Sequence, residues 1–265
     1  MAFGTGPMKV RVLGCSGGIG NEAGEPMRTT AMLVDDDILI DCGTGVGDLG
    51  IAELARIDHV FLTHSHFDHI ACLPMLIDTA GDLRDRPLTV HAIEGTLDIL
   101  HAHVFNWSIW PDFCQIPSPD APWMRFDAIE VGATVALGER RITPLPVAHT
   151  VPAVAFQIAS AGASLVFSGD TGPCAELWAA IDRIDNLRHV IVETSYPDAE
   201  CVLAQASGHL CPGMLADELA RLKRPAEISI THLKPTQPDP IMAEIDARLG
   251  PGRVQRLRPG RIFEL

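Results

Sequence analysis

The sequence predicts an α/β protein in which two mixed β-sheets pack face to face with helices outside. Three observations carry that expectation. Short apolar runs of strand length alternate with segments of helical spacing along the chain. Each half opens on hairpins before settling into strand–helix alternation, and this shared order hints at duplication. Five apolar runs end on a side chain able to bind a metal, as loops leaving one end of a sheet would present it.

The elements follow in order. "KVRVLGCSGG" reads as a strand leaving into a Gly-rich loop, and "TTAMLVDDDILIDCGTG" as a hairpin turning at Asp35, Asp36 and Asp37. "VGDLGIAELARI" has helical spacing. "HVFLT" is a short buried strand, and "DHIACLPMLIDTA" starts a helix. "PLTVHAI" is a strand and "EGTLDILHAHVF" a helix. Near residues 104–126, Trp107, Trp110, Phe113 and Trp123 lie among prolines, which reads as an irregular insertion. The cluster is either packed or placed at the cleft to stack on a base. In the second half, "FDAIEVGATVALGERRITPLPVAH" alternates strands and turns, and "AVAFQIASAGASLVFSGDTG" is a hairpin. "CAELWAAIDRI" is a helix, "HVIVETSY" a strand, "PGMLADELARLK" a helix, "EISITHLKP" a strand with its exit, and "DPIMAEIDARLG" a helix. "RVQRLRPGRIFEL" reads as a closing strand pair. No low-complexity linker interrupts the pattern, so residues 1–265 are expected to form a single domain.

Composition bounds the function. With 265 residues and 47% hydrophobic content, the chain can bury a large core. No apolar run reaches the roughly 18 residues that span a bilayer, so no membrane partner is expected. "MAFGTGP" before Met8 reads as a short disordered leader or a start-site artefact, and no signal peptide is expected. The seven cysteines form no C-x-x-C pair, which predicts reduced thiols and a cytoplasmic location. A net charge of −14 weighs against a nucleic-acid partner.

The chemistry concentrates in "FLTHSHFDHI", residues 61–70. In a strand-to-helix turn, His64 and His66 can point toward one ion. Asp68 and His69, at the start of the helix, can face a second, and a helix N-terminus favours an aspartate there. His149 follows "ITPLPVA", Asp170 follows "SLVFSG", His232 follows "EISIT" and Asp41 follows "DILI". Imidazole suits zinc and iron, and a carboxylate can bridge two ions. Other histidines read differently. His101 and His103 lie two apart on a helix and point away from each other. His59, His91 and His189 lie at or inside strands and read as structural. Arg28, in a Gly-rich loop, is a candidate anion contact. Thr194 and Ser195 either touch phosphate or are plain loop residues.

"THSHFDH" resembles the H-x-H-x-D-H signature of the metallo-β-lactamase fold hydrolases. "VAH", "SGDTG" and "THLKP" resemble that family's remaining ligand motifs in order. The resemblance implies a four-layer αββα sandwich. It implies that His64, His66 and His149 hold one divalent ion, that Asp68, His69 and His232 hold the other, and that Asp170 bridges them. Asp41 would orient a histidine. Zinc is the leading metal, with iron or manganese as alternatives. "SGDTGP", "ETSYPD" and "ASGHLCP" are similar to class II cyclic-nucleotide phosphodiesterases, although Phe67 stands where leucine is usual and no glycine follows Ile70. That likeness implies hydrolysis of a 3′,5′-cyclic nucleotide or similar small phosphodiester by a hydroxide held between the ions. Asp68 and His209 would be catalytic, with His209 protonating the leaving oxygen or contacting the phosphate and Glu193 holding His209. A homodimer is left open. The alternatives are a tRNA 3′-end endonuclease, although no basic arm is evident; a thioester or lactone hydrolase; and a non-enzymatic diiron oxygen sensor.

Overall fold

A computed structural model describes residues 6–21 and 23–265. The leader reading on residues 1–7 falls outside them except at Gly6 and Pro7. Among the described residues, two seven-stranded sheets face each other. The first comprises β1 (Lys9–Gly14), β2 (Ala31–Val34), β3 (Ile38–Ile40), β4 (His59–Phe61), β5 (Leu88–Ala92) and β6 (Met124–Ala128), with β14 (Ile262–Glu264) beside β1. The second comprises β7 (Val135–Leu137), β8 (Arg140–Pro146), β9 (Val154–Ala159), β10 (Ser164–Phe167), β11 (Leu187–Glu193), β12 (Glu227–Thr231) and β13 (Val254–Arg256). Each sheet passes from antiparallel pairs into parallel ones: at β3–β4 in the first, and at β10–β11 in the second. This common order matches the similarity read between the halves.

Strand alternation builds the layers. Ile38 and Ile40 join the core between the sheets, while Leu39 between them joins the outer core. Leu165 and Phe167 likewise face inward and Val166 outward. The outer core of the first sheet is closed by α3 (Leu73–Ala80) and α4 (Glu94–His103), after the single turns α1 (Ile51–Leu54) and α2 (Phe67–Ile70). That of the second is closed by α5 (Ala175–Ile181), α7 (Pro212–Leu219) and α8 (Pro238–Leu249), with α6 (Cys201–Ala206) between α5 and α7 in sequence. Two mixed sheets flanked by helices are thus the architecture that the pattern predicted.

Several details differ from the sequence reading. The closing strands do not pair with each other. β13 runs parallel to β12, and β14 runs antiparallel to β1, so the chain end ties the two sheets together. β6, read with the second half, pairs with β5 in the first sheet. The helix predicted through "VGDLGIAELARI" is a 3-10 segment and one α-turn, because Gly47 and Gly50 interrupt it. The helix predicted from "DHIACLPMLIDTA" breaks into α2 and α3 around Pro74, which lacks an N–H and suits only a first turn. Helix α6 was not anticipated. The irregular insertion ends at Trp123, and β6 begins at Met124. Its Trp110, Phe113 and Trp123 pack on the outer core, whereas Trp107 is exposed. Cys201 and Cys211 form a disulfide, which corrects the expectation of reduced thiols throughout. Arg28 is held by Asp48 through two 2.7 Å hydrogen bonds, so its guanidinium already has an anionic partner. No helix among the described residues is long and apolar enough to cross a membrane.

One close approach supports the strand-to-helix turn after β4. A Cβ on Gly43 would lie 2.3 Å from the Asp68 carbonyl, 2.5 Å from Thr29 Oγ1 and 2.6 Å from the Thr30 carbonyl. Two of these neighbours are backbone and cannot swing aside. Gly43→Ala is expected to cost about 1–3 kcal/mol by overpacking, read as a lowered denaturation midpoint at unchanged m-value.

Candidate metal centre

Strand direction assembles the site. β3 and β4 are parallel, and β8, β10, β11 and β12 share one direction in the second sheet. Their C-terminal exits carry Asp41, the His64–His69 turn, His149, Asp170, Glu193 and His232. Two of these residues are strained. Asp41 (φ 57°) and His232 (φ 62°) occupy the left-handed region without being glycine. Such a conformation costs on the order of 1–3 kcal/mol and persists where the surroundings enforce it. Here Asp41 N–H donates to the Phe61 carbonyl, and His232 N–H to the Cys15 carbonyl.

The seven predicted ligands come together in two groups that share one residue. His64, His66, His149 and Asp170 form the first, and Asp68, His69, Asp170 and His232 the second, with ligand atoms in each within 4.8 Å of one another. Asp170 lies 3.5 Å from His64 Nε2, 3.3 Å from His69 Nε2 and 3.4 Å from His232 Nε2.

The outer nitrogens of four rings are already committed. His69 Nδ1–H donates to Asp41 Oδ2 at 2.7 Å, and His149 Nδ1–H to the Gly208 carbonyl at 2.9 Å. Thr63 donates its hydroxyl to Asp41 and receives His64 Nδ1–H at 3.0 Å. Ser195 donates to Glu193 Oε2 at 3.1 Å and receives His232 Nδ1–H at 2.9 Å. In the neutral ring, each bond selects the tautomer whose Nε2 lone pair points into the centre. Asp41 thus contacts His69 as an orienting acceptor, and Glu193 Oε1 accepts from His209 Nδ1 at 2.8 Å.

The donor set suits cations. His149 Nε2 faces His66 Nδ1 at 3.2 Å, and His232 Nε2 faces Asp68 Oδ2 at 2.9 Å. Each of these pairs is satisfied either by a ring N–H proton or by a cation set between the two atoms. His64 Nε2, His69 Nε2 and Asp170 Oδ1 are buried with no hydrogen-bond partner, an arrangement that costs free energy unless something binds them. Burial, aided by the neighbouring His69, holds His64 well below the ordinary histidine pKa and leaves its lone pair free. Burial pushes the Asp170 carboxyl up, but His232 and His69 outweigh it and hold it well below the usual carboxylate range. Nitrogen and carboxylate ligands of this kind fit two borderline divalent ions.

Sequence reasoning missed Thr63 and the Gly208 carbonyl and left Ser195 open. Thr63 directly precedes His64, but nothing in the sequence marks a threonine as an acceptor for imidazole. The carbonyl of Gly208 has no side-chain signal at all. Thr63→Val keeps the shape and deletes the hydroxyl. It is expected to weaken ion binding by about 10–100-fold, measured by titration against a competing chelator.

The remaining predicted residues lie elsewhere. His101 and His103 are exposed on α4. His59 and His91 hydrogen-bond to each other at 2.9 Å, and His91 donates to Asp127. His189 lies in β11 beside Glu227.

A family model described as a beta-lactamase superfamily domain matches residues 36–233. A Yersinia pestis protein named "Probable 3′,5′-cyclic-nucleotide phosphodiesterase" is 26% identical over 204 residues, covering 68% of this chain and 58% of its own. The chain therefore spans less than two thirds of that relative. A ribonuclease Z of Pyrobaculum aerophilum is 26% identical over 249 residues, covering 81% of this chain and 82% of its own. Among solved structures, unliganded yeast PDE1 superposes with a TM-score of 0.79 at 18% identity, covering 98% of this chain and all of that one. The metallo-beta-lactamase fold protein YhfI from Bacillus subtilis superposes with a TM-score of 0.75 at 20% identity, again over 98% of this chain and all of that one. Similarity at such identity speaks to the fold.

Proposed function

The chain belongs to the beta-lactamase superfamily, and from that premise we propose that it is a metal-dependent phosphodiesterase. Its substrate is a small phosphodiester, with a 3′,5′-cyclic nucleotide as the first choice. The observation that carries the reading is the pair of ligand groups sharing Asp170, with the His209–Glu193 pair beside them. Relatives named as cyclic-nucleotide phosphodiesterase and ribonuclease Z support phosphodiester chemistry.

His64, His66 and His149 would hold one divalent ion, Asp68, His69 and His232 the other, and Asp170 would serve both. Zinc is the first choice, with iron or manganese as alternatives. Bound there, such ions supply positive charge toward phosphoryl oxygens and lower the pKa of water. The protein's own part is to hold and aim. Thr63, Asp41, Ser195 and Gly208 fix the ring orientations before substrate arrives. Asp68 keeps 28% of its side chain exposed, so its carboxylate can also orient an incoming water. Burial alone would lower the His209 pKa, but the charge and hydrogen bond of Glu193 outweigh it and raise it above the ordinary value. With Nδ1–H tied to Glu193, Nε2 is the nitrogen left to protonate a departing alkoxide.

The test is metal analysis of freshly purified protein, then a substrate panel. Bis-p-nitrophenyl phosphate and cyclic AMP should be hydrolysed, and chelation should abolish both activities. Cleavage of a precursor tRNA in preference to either would favour the endonuclease reading, which draws on the 82% coverage of the Pyrobaculum relative. The net charge of −14 opposes a polyanionic partner. Turnover of a thioester or lactone alone, or bound iron without turnover, would overturn the phosphodiesterase reading.

A further inference from the structure

Lys234 sits two residues after the ligand His232, on the exit of β12. Its backbone N–H donates to the Ser195 carbonyl, which ties it to the segment following Glu193. Its Nζ donates to the Gly17 carbonyl at 3.2 Å and lies 5.4 Å from the centre of the Tyr196 ring. That ring, the protein's only tyrosine, in turn meets the His209 ring at 5.9 Å.

The ammonium is held without a carboxylate. Among the described residues no carboxylate pairs with the Lys234 ammonium, as none does with that of Lys9 or Lys223; a carbonyl oxygen and an aromatic face hold it. Neither partner neutralises the charge. A cation–π contact and a neutral acceptor position an ammonium while leaving its charge for an anion. The group is half-buried, so screening by solvent is incomplete. Its field reaches His209, where it opposes the effect of Glu193.

The glycine loop opposite leaves room for this arrangement. A Cβ on Gly17 would lie 2.6 Å from the His232 carbonyl and 3.0 Å from its Nδ1, so the loop passes directly against the ligand. Gly17 N–H donates to the Leu233 carbonyl, fixing the loop to the β12 exit that carries Lys234. Loop, ligand and lysine therefore form one braced wall beside the centre.

We propose that Lys234, steadied by Tyr196, is a specificity-determining residue that binds a non-bridging oxygen of the substrate's phosphodiester. The inference rests on the phosphodiesterase reading. It adds a binding group that selects for an anionic substrate over a neutral ester, because among the described residues no carboxylate compensates the ammonium. A lysine suits this better than an arginine pair would, since a single point charge does not dictate a bidentate pose.

The experiment compares wild type, Lys234→Met and Lys234→Arg, each loaded with metal and checked for ion content. Two readouts are taken: KM and kcat on bis-p-nitrophenyl phosphate, and the affinity for inorganic phosphate by calorimetry. Lys234→Met should raise KM by about 10–100-fold, with kcat changed much less and both ions retained. Phosphate affinity should fall by a similar factor, and Lys234→Arg should recover much of both. Unchanged KM and phosphate affinity in Lys234→Met would overturn the inference. So would loss of ions, which would make the lysine a brace for His232. If wild type turns over no phosphodiester, the functional reading fails, but phosphate affinity still decides whether Lys234 takes an anion.

Discussion

Asp170→Ala abolishes turnover, with kcat/KM expected to fall by at least about 10³-fold. The reason lies in how many neighbours the carboxylate serves. It belongs to both ligand groups and stands within 3.5 Å of His64, His69 and His232. Alanine leaves each group with three ligands and removes the negative charge that both ions would share. The fold should persist. Asp170 follows β10, and the inward-facing Leu165 and Phe167 of that strand remain in the core between the sheets. Activity, metal stoichiometry and circular dichroism are measured together. The expected result is an unchanged spectrum, at least one ion lost and no detectable turnover. Near-normal rates with two ions bound would remove Asp170 from the centre.

His209→Ala has a different signature. It is expected to lower kcat by about 10²–10⁴-fold with both ions retained. His209 stacks 5.3 Å from the His232 ring and is held by Glu193 at 2.8 Å, but it belongs to neither ligand group. The loss should depend on the leaving group. A ribose alkoxide needs a proton as it departs, whereas p-nitrophenolate does not. Cyclic AMP hydrolysis should therefore suffer far more than that of bis-p-nitrophenyl phosphate. Equal loss on both substrates would remove the acid role, and loss of an ion would make His209 a ligand.

Much of this centre was legible before any coordinates, and the reason is chemical. Metal ligands are drawn from few residue types, and the exits of apolar strands are where such residues gather. His64, His66, Asp68 and His69 stood out by spacing, and His149, Asp170 and His232 by their strand exits, while the choice of these seven as a ligand set came from the resemblance to the metallo-β-lactamase fold hydrolases. The groups around them could not be named this way. Thr63, Ser195 and Gly208 are common residues whose role exists only because an imidazole Nδ1 lies within about 3 Å. Lys234 carried no signal either, since what sets it apart is the carbonyl oxygen and the aromatic ring that hold its ammonium.

The same division runs through the fold. The unbroken apolar runs in "ILI" and "SLVF" determined by themselves that both faces of these strands would be buried, because successive side chains point to opposite faces. Only the tertiary structure decided which strands are neighbours. β13 and β14 read as one hairpin, yet they close opposite sheets, because pairing depends on where the free edges of β12 and β1 lie. Local sequence sets which face of a strand is apolar; the choice of edge belongs to the assembled sheets.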